Sequence, residues 1–277
     1  MTSQAMSLAE LRPWIAFGLL ALLLLWETAK PFFANPGGRG RLVHGARNLL
    51  LGLGNGLVIA LVFAGLWMAA AQASEAHGFG LLHRIAWHPV AETILVLLLL
   101  DCWTYWWHRL NHRVPLFWRF HRVHHSDPHM DVTTANRFHL GEIVFSSLLR
   151  LPLIYLLGAS MVQLALYETL LFAVVQFHHA NVSIGRRGDR VLSWFIVTPH
   201  LHKVHHSHWQ PETDSNYASL LPLWDRLFGT FRFPERPASL RLGLDEFSAP
   251  ETQTLPGLLG TPFASGKRGA GPRDERE

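Results

Sequence analysis

The segment that decides the fold is "NLLLGLGNGLVIALVFAGLWMAAAQAS", residues 48–74. Its 27 residues carry no formal charge, and a helix needs only about 20 apolar residues to cross the hydrocarbon core of a bilayer. The composition of the whole chain of 277 residues points the same way, since 49% is hydrophobic and only 16% is charged. The sequence therefore predicts an integral membrane protein.

Four further apolar segments approach or reach the length of a membrane span. They cover residues 13–26, 91–107, 143–157 and 161–177, and the first can extend towards residue 33. We expect four or five crossings and an all-α, polytopic transmembrane helical bundle. The first segment differs from a signal peptide, because Glu10 and Arg12 precede it and "WETAKPFF" is not a small-residue cleavage site. We expect it to remain as an anchor.

Basic residues are gathered in particular loops and do not form one stripe, so we expect no nucleic-acid binding. Residues 75–90, between the second and third apolar segments, contain only Arg84. The loops after the first and third segments contain Lys30, Arg39, Arg41, Arg47, Arg109, Arg113, Arg119 and Arg122. The positive-inside rule then places the N-terminus outside and both of these loops in the cytoplasm.

Two nearly identical hexapeptides, "HRVHHS" at 121–126 and "HKVHHS" at 202–207, stand 81 positions apart. Of the 18 histidines, 14 fall between His108 and His208. The first hexapeptide carries histidines at i, i+3 and i+4, as does the second, so each set projects from one face of a helix. The apolar hairpin of residues 143–177 returns the chain to the same side of the membrane. We expect one site, carried by a cytoplasmic helical cap.

A metal ion bound by this chain must use nitrogen or oxygen ligands. Cys102 is the only cysteine, which excludes a thiolate cluster. Eight histidines lie at helical spacings in these segments, and one ion takes at most about six ligands. The pattern therefore indicates two metal ions. The alternatives are a surface histidine tract, core histidines bound to backbone, and a heme held by two histidines. A zinc protease is a weaker match, since H-E-x-x-H is absent and the nearest carboxylate is Glu142.

At these residues the chain resembles the fatty acid hydroxylase/sterol desaturase superfamily of integral-membrane di-iron enzymes. The resemblance covers roughly residues 90–235. It rests on "HRLNH", "HRVHH", "QFHHANV", "HKVHH" and "NYASLLPLWDRLFGT". It implies two iron ions, O₂ as co-substrate and two electrons used to hydroxylate or desaturate a lipid carbon. The implied metal ligands are His108, His112, His121, His124, His125, His179, His202, His205 and His206, with His178 as the alternative to His179.

Two acids in apolar segments are candidates for supporting roles around the ligands or in a channel, and the alternative is that each is a partner for an arginine or a neighbouring tyrosine. Asp101 lies seven residues before His108, and Glu168 lies eleven before His179. Ionisable groups at such positions are expensive in a membrane and are usually functional. Phe138, Trp194 and Phe195 are candidates for the walls of a lipid route, with aromatic core packing as an equal alternative. Asn216, Trp224, Asp225 and Arg226 match family positions, and we expect Asp225 and Arg226 to be structural. His200 and His208 are expected at the surface, with a supporting position next to the ligands as the alternative. The role of His139 stays open.

Three regions are expected along the chain. Residues 1–90 form N-terminal anchor spans, residues 91–235 form the histidine-box domain, and residues 236–277 form a C-terminal tail. The tail contains an apolar strip at 255–263 and is expected to be disordered from about residue 264.

The function expected from these observations is a membrane-bound lipid oxygenase. Sterol precursors, acyl chains, carotenoids and modified polar lipids are all open as substrates. We expect the electrons to come from an external donor such as a reductase, a ferredoxin or a cytochrome b5-like protein, because no such module is visible in the sequence. The competing functions are a non-redox zinc hydrolase or metal-handling membrane protein, and a heme-based electron carrier.

Overall fold

The computed structural model of the chain describes residues 8–34, 37–84, 88–234 and 237–265. Within these ranges the chain is helical and contains no strand, apart from an isolated bridge between Ser207 and Leu242. The α-helices are α1 (Leu8–Ala29), α2 (Arg39–Val58), α3 (Ala64–Ala76), α4 (Pro89–Arg113), α5 (Pro115–His125), α6 (Leu140–Leu157), α7 (Met161–His179), α8 (Arg186–Leu192), α9 (Pro199–His205), α10 (Gln210–Thr213), α11 (Leu223–Leu227) and α12 (Leu255–Gly260). The all-α expectation is confirmed.

Five helices are long and apolar enough to cross a membrane. They are Glu10–Ala29, Arg39–Ala76, Pro89–Arg113, Leu140–Leu157 and Met161–His179. The second contains the charge-free segment and runs from α2 into α3 through a π-helical turn at Ile59–Phe63. Side chains such as Leu53, Leu57 and Leu61 are exposed on its outer face, which suits contact with lipid tails. The chain is therefore an integral, multi-pass membrane protein, as predicted.

The interior of the bundle is packed where these spans meet. Val96 and Leu100 of α4 are fully buried against Phe63, Trp67 and Ile154 from the neighbouring spans. Burying one such side chain contributes about 1.5–3 kcal/mol in water, but in lipid the packing itself must hold the helices together. This cluster fixes the positions of α4, α6 and α7, which carry histidines or lead to them.

A cap of short helices closes one end of the bundle, where α4 and α7 end and α6 begins. Val114 is extended, with φ −94° and ψ 117°, because it precedes a proline that starts α5. The bend at Val114 turns α5 back across the end of α4. Pro199 likewise starts α9. The two prolines therefore decide where each histidine-bearing helix begins.

A buried carboxylate joins α1 to this cap. Glu27 is inaccessible to solvent and accepts hydrogen bonds from the backbone nitrogens of Val132 at 3.1 Å and Asn181 at 2.9 Å. Its other oxygen pairs with Arg41 at 2.8 Å. A buried charge is tolerated only when it is paired and hydrogen-bonded. The first span is thereby fastened to the segments on both sides of the site.

The C-terminal segment folds back over α5. Leu258 is fully buried against Leu51 and Val123, and Arg122 donates to the carbonyl oxygens of Thr261 and Ala264. The apolar strip of residues 255–263 therefore docks on the helix that carries the first hexapeptide. Disorder was expected from about residue 264, and residues 266–277 of that stretch lie outside the described residues.

Gly52 is expected to be intolerant of a side chain. A Cβ there would lie 2.7 Å from Cβ of Asn136, whereas a Cβ at Gly54 in the same helix has no atom within 4 Å. We expect Gly52→Ala to lower the free energy of unfolding by about 1–3 kcal/mol through overpacking. Gly54→Ala is the matched control and should be neutral or slightly stabilising. Thermal unfolding in detergent measures both, and equal melting temperatures for the two variants would contradict this packing.

Candidate metal centre

The structure gathers the predicted ligands into two buried groups of imidazoles at the end of the bundle. One group contains five histidines and the other contains four, and the ligand nitrogens of each group lie within 4.8 Å of one another. The group of five is His108, His112, His121, His125 and His205; the group of four is His124, His179, His202 and His206. These nine residues are the set named from the sequence.

The two hexapeptides contribute to both groups in a reciprocal manner. Helix α5 gives its i and i+4 histidines, His121 and His125, to the group of five, and its i+3 histidine, His124, to the group of four. Around α9 the assignment is reversed, because the i and i+4 histidines join the group of four and His205 joins the group of five. Each hexapeptide thus links the two groups. The remaining ligands come from the ends of α4 and α7.

Backbone carbonyls orient several of the rings. Nδ1 of His108 donates to the carbonyl oxygen of Tyr217 at 2.7 Å, and Nδ1 of His205 donates to that of Ser215 at 2.7 Å. Nδ1 of His179 donates to the carbonyl of Val175, one helical turn earlier, at 2.8 Å. A carbonyl oxygen can only accept, so the proton of each neutral ring is on Nδ1. The Nε2 lone pairs of these rings therefore point into the groups.

Several Nε2 atoms lie as close together as neighbouring ligands of one metal ion. His205 and His108 have their Nε2 atoms 2.9 Å apart, and His202 and His179 have theirs 3.0 Å apart. In the first pair both protons are on Nδ1, so two lone pairs face each other without a donor between them. Nitrogen ligands roughly 2.0–2.1 Å from a metal lie about 3 Å apart in neighbouring coordination positions. The residues present therefore fit a bound metal cation in each group.

The same spacing separates this arrangement from a heme site. The two axial nitrogens of a heme lie on opposite faces of the ring, about 4 Å apart, with the porphyrin plane between them. Nε2 separations of 2.9–3.2 Å leave no room for that plane. A heme needs only two axial histidines, whereas histidines from four helices converge at this site.

Burial keeps the cap histidines neutral. The pKa values of His124, His125, His202 and His206 are all well below the ordinary value, mainly because desolvation penalises the charged ring and secondly because other imidazoles lie close by. Metal binding requires the unprotonated ring. The site is therefore ready to bind a cation at neutral pH without first releasing protons.

Carboxylates contact the group of five from outside. Glu142 accepts a hydrogen bond from Nδ1 of His121 at 2.9 Å and is also reached by Asn111 at 3.4 Å. Asp214 lies 3.5 Å from Nδ1 of His112. Such partners fix ring orientation and raise the basicity of the ligand. The sequence pattern does not assign this role to either carboxylate; its one signal is that Glu142 stands at the entry to an apolar span.

A second buried network holds the C-terminal end of α5. The guanidinium of Arg137 donates to the carbonyl of Val123 at 2.9 Å and to the hydroxyl of Ser126 at 3.0 Å. Asp127 is fully buried close by and accepts from Thr134 at 2.7 Å and from His44 at 2.9 Å. The pKa of Asp127 is held well below its usual range, with His44 and then Arg137 as the stabilising charges. This network fixes the helix turn that presents His124 and His125.

The two acids named from the sequence have partners other than imidazole. Asp101 accepts hydrogen bonds from the indole nitrogen of Trp224 at 2.7 Å, the backbone of Leu221 at 3.1 Å and the hydroxyl of Tyr167 at 3.3 Å. Glu168 is ion-paired with Arg150 of α6. Asp101 therefore joins α4 to the segment around α11, and Glu168 joins α7 to α6, so the two acids have the tyrosine and arginine partners that were the alternative to a role beside the ligands.

The remaining histidines of the region are outside both groups. His139 caps the N-terminus of α6 by accepting from Gly141 at 2.9 Å. His200 lies 3.6 Å from Asp189, and His208 donates to the carbonyl of Arg241 at 3.2 Å. Both are buried, so their expected surface position is wrong. His178 is buried beside His202, with ring centroids 3.8 Å apart.

Of the three aromatic residues that were candidates for the walls of a lipid route, one lines the cavity and two do not. Phe138 stacks on His124 with centroids 4.3 Å apart and lines the cavity next to the site. Trp194 and Phe195 do not line it, since they are 63% and 66% exposed, and their expected role as walls is wrong. Arg226 packs between the rings of Trp194 and Phe231.

The segment after α9 presents the carbonyls that orient two ligands. Asn216 has φ +51° and donates to the carbonyls of Leu201 at 3.0 Å and Arg232 at 2.7 Å. Asp225 accepts from the backbone nitrogens of Tyr217 at 2.8 Å and Ala218 at 3.0 Å. These bonds hold the backbone on either side of Asn216, where the two carbonyl acceptors of the histidines lie. Asp225 is structural, as the sequence indicated.

One cavity of about 630 Å³ leads from the histidines into the membrane-spanning part of the bundle. His108, His121, His124, His179 and His202 line one end of it. Further along, the walls are mainly apolar and come from the spans, and the ion pair of Arg150 and Glu168 also lines it. The shape suits a long, mostly apolar molecule with one end at the histidines.

Comparison with known proteins agrees with this geometry. The family model for fatty acid hydroxylases matches residues 93–230, which contain all nine grouped histidines. This chain belongs to the fatty acid hydroxylase family. Hydroxylases of the family are oxygen-dependent metalloenzymes, and the two buried groups supply ligands for metal. No solved structure matches the chain.

Several curated relatives match the same region. The chain is 34% identical over 158 residues to ornithine lipid hydroxylase OlsE of Rhizobium tropici, covering 57% of this chain and 47% of the relative. It is 36% identical over 153 residues to alkylglycerol monooxygenase of Xenopus tropicalis, covering 55% and 33%. Cholesterol 25-hydroxylase of Homo sapiens is 28% identical over 166 residues, covering 54% and 57%. The chain spans about half or less of the length of the first two relatives.

The amount of metal bound by the protein is expected to depend on both groups of histidines, with one ion for each intact group. His206→Ala removes one of four ligands in its group, so we expect the metal bound by the purified protein to fall from about two ions per chain to about one. His129 lies in the same region with an exposed side chain, and His129→Ala is the matched control that should keep both ions. Elemental analysis measures the content; an unchanged value in His206→Ala would contradict the grouping.

Glu142 is expected to strengthen the metal site through His121. Glu142→Leu removes the acceptor of Nδ1, and we expect the affinity of the group of five for metal to fall about 10–100-fold. Glu142→Gln retains an acceptor oxygen and should recover part of the loss. Chelator competition monitored by metal release measures this effect, and the ion in the group of four serves as an internal reference. Equal release from both groups in Glu142→Leu would refute the assigned role.

Proposed function

We propose that this chain is a membrane-bound di-iron oxygenase that hydroxylates a C–H bond of a lipid, using O₂ and two electrons. The observation that carries the proposal is the pair of buried imidazole groups at the end of an apolar cavity inside a membrane protein. The named relatives support the hydroxylase assignment, since their printed names are hydroxylase and monooxygenase. Hydroxylation is therefore preferred over desaturation.

The chemistry requires a redox metal. An unactivated C–H bond has no acidic proton and no leaving group, so general bases and nucleophilic side chains cannot attack it. Two iron ions, held by the group of five and the group of four, would supply the oxidising power for this bond. Imidazole ligands suit iron, and nine of them exceed the capacity of one ion. We assign His179, in preference to His178, as the ligand from α7.

The residues of the chain prepare the site for this chemistry. Backbone carbonyls and Glu142 hold the rings with Nε2 inward, so that the ligand geometry needs little reorganisation. Phe138 covers the face of His124 and narrows the route to it. The cavity walls keep water away and leave a lipid as the molecule that reaches the site. Neutral histidines favour cation binding without proton release.

The distribution of Lys and Arg residues indicates how the chain is oriented in the membrane. We propose that the cap with its histidines faces the cytoplasm and that the N-terminus lies outside, as the excess of Lys and Arg in the cap-side loops indicates. An external electron donor then approaches from the cytoplasm. Residues 91–235 would form the catalytic region, and residues 1–90 would anchor it and complete the cavity.

Lipid profiling tests the proposal. Cells that express the wild-type chain under ¹⁸O₂ are expected to accumulate a lipid that has gained one ¹⁸O atom. The same cells with His124→Ala should lack that lipid, because the group of four loses a ligand and the wall of the cavity changes. His129→Ala is the control and should retain it. Mass spectrometry identifies the lipid and the labelled atom.

Metal analysis separates the oxygenase from its main competitor. Wild-type protein that holds only zinc, and an activity that continues without O₂, would establish a zinc hydrolase and exclude the proposal. A lipid product lacking ¹⁸O would exclude hydroxylation by O₂ in the same way. A product that loses two hydrogens without gaining oxygen would replace hydroxylation by desaturation.

A further inference from the structure

We propose that Arg150 and Glu168 form a polar subsite inside the cavity, which binds a neutral hydroxyl group of the lipid and thereby decides which carbon reaches the histidines. This inference rests on the proposed function. It names a feature of the substrate: a hydroxyl group at a fixed distance from the carbon that is oxidised.

The pair lies deep within the spans. Arg150 is ten residues after the start of α6 at Leu140, and Glu168 is seven residues after the start of α7 at Met161. Glu168 precedes His179 by eleven residues of the same helix, which at 1.5 Å per residue is about 16 Å. The ion pair is therefore far from both ends of its helices and about 16 Å from the nearest ligand on α7.

Arg150 and Glu168 differ from a polar pair that only connects two helices, because their side chains face the cavity. Arg150 and Glu168 are ion-paired, yet their side chains remain 15% and 22% accessible, and both line the cavity. Glu92 and Gln163 form another polar tie between spans, with a hydrogen bond of 3.0 Å, and neither lines the cavity. A polar pair that only connects two helices does not need to line the cavity. An ionisable pair that faces it in a membrane indicates a ligand-binding role.

The chemistry of the pair selects a neutral group. A hydroxyl donates one hydrogen bond and accepts others, so it can bind the carboxylate of Glu168 and the guanidinium of Arg150 without separating them. A charged group would have to displace one partner and leave its charge unpaired in a medium of low dielectric. The guanidinium of Arg150 also lies 5.2 Å from the ring centre of Trp67, which holds it in place.

The rest of the cavity fits the remainder of such a molecule. Between the ion pair and the histidines the wall includes Ile143, Leu171, Phe172 and Val175, which suit an alkyl or ring system. Arg12 also lines the cavity, but it is only two residues from the start of the span Glu10–Ala29, where water solvates a guanidinium. Thr104, Ser146 and Ser147 also line the cavity, but they are neutral, so the charged groups in its depth are those of the ion pair.

A binding experiment tests this subsite without requiring turnover. The purified, metal-loaded chain in nanodiscs is titrated with three radiolabelled probes of equal length: 1-hexadecanol, hexadecane and hexadecanoic acid. We expect the wild type to bind the alcohol at least about 10-fold more tightly than the alkane, as one hydrogen bond to a charged group would provide. In the double variant Arg150→Met with Glu168→Met, the two affinities should agree within about twofold.

Matched controls distinguish a folding defect from the loss of the polar subsite. Glu92→Gln changes a membrane carboxylate outside the cavity and should preserve the preference. A metal content equal to that of the wild type shows that the double variant is folded, and Glu168→Gln, which retains a hydrogen-bonding group, should keep part of the preference.

Equal binding of the alcohol and the alkane by the wild type would overturn the inference, as would an unchanged preference for the alcohol in the folded double variant. Tightest binding of the acid would also overturn it, because the cavity would then bind an anionic group. The probes bind whether or not the chain oxidises a lipid. Failure to incorporate ¹⁸O, together with a retained preference for the alcohol, would therefore reject only the oxygenase function.

Discussion

The close approach of unprotonated imidazole nitrogens is the constraint on which the rest of the structure depends. Nε2 atoms of His108 and His205 lie 2.9 Å apart while their Nδ1 protons are bound to carbonyl oxygens. Two lone pairs at this distance repel each other unless a cation lies between them. The cap must therefore both hold the rings in place and accommodate positive charge in a buried environment.

Much of the fold can be understood as support for that arrangement. The bend at Val114 returns α5 to the end of α4, and the α6–α7 hairpin brings the second hexapeptide to the same side. Glu27 fastens the first span to the cap, and Arg137 holds the end of α5. Both of these buried charges are hydrogen-bonded, and apolar clusters that contain Leu201 and Val123 pack beside them, so the polar network can be rigid.

The cavity links the metal centre to the lipid environment and gives the spans a second function. Apolar walls supply affinity for a lipid but little selectivity along its length, because any part of an alkyl chain can lie against them. Polar groups at fixed positions supply the selectivity. Glu142 at the histidine end and the pair of Arg150 and Glu168 in the depth divide the cavity into a reacting end and a recognising end.

The sequence by itself determined that the chain is an all-α membrane protein and that eight of the histidines converge, because hydropathy and helical spacing are local properties, whereas His179 was named through the resemblance to the family. Only the tertiary structure decided how the histidines divide between two groups, since neighbours in a hexapeptide, such as His124 and His125, face different partners. It also decided that Glu142 contacts His121 and that Glu168 pairs with Arg150. These pairings join distant helices, and their direction depends on packing that one segment does not specify.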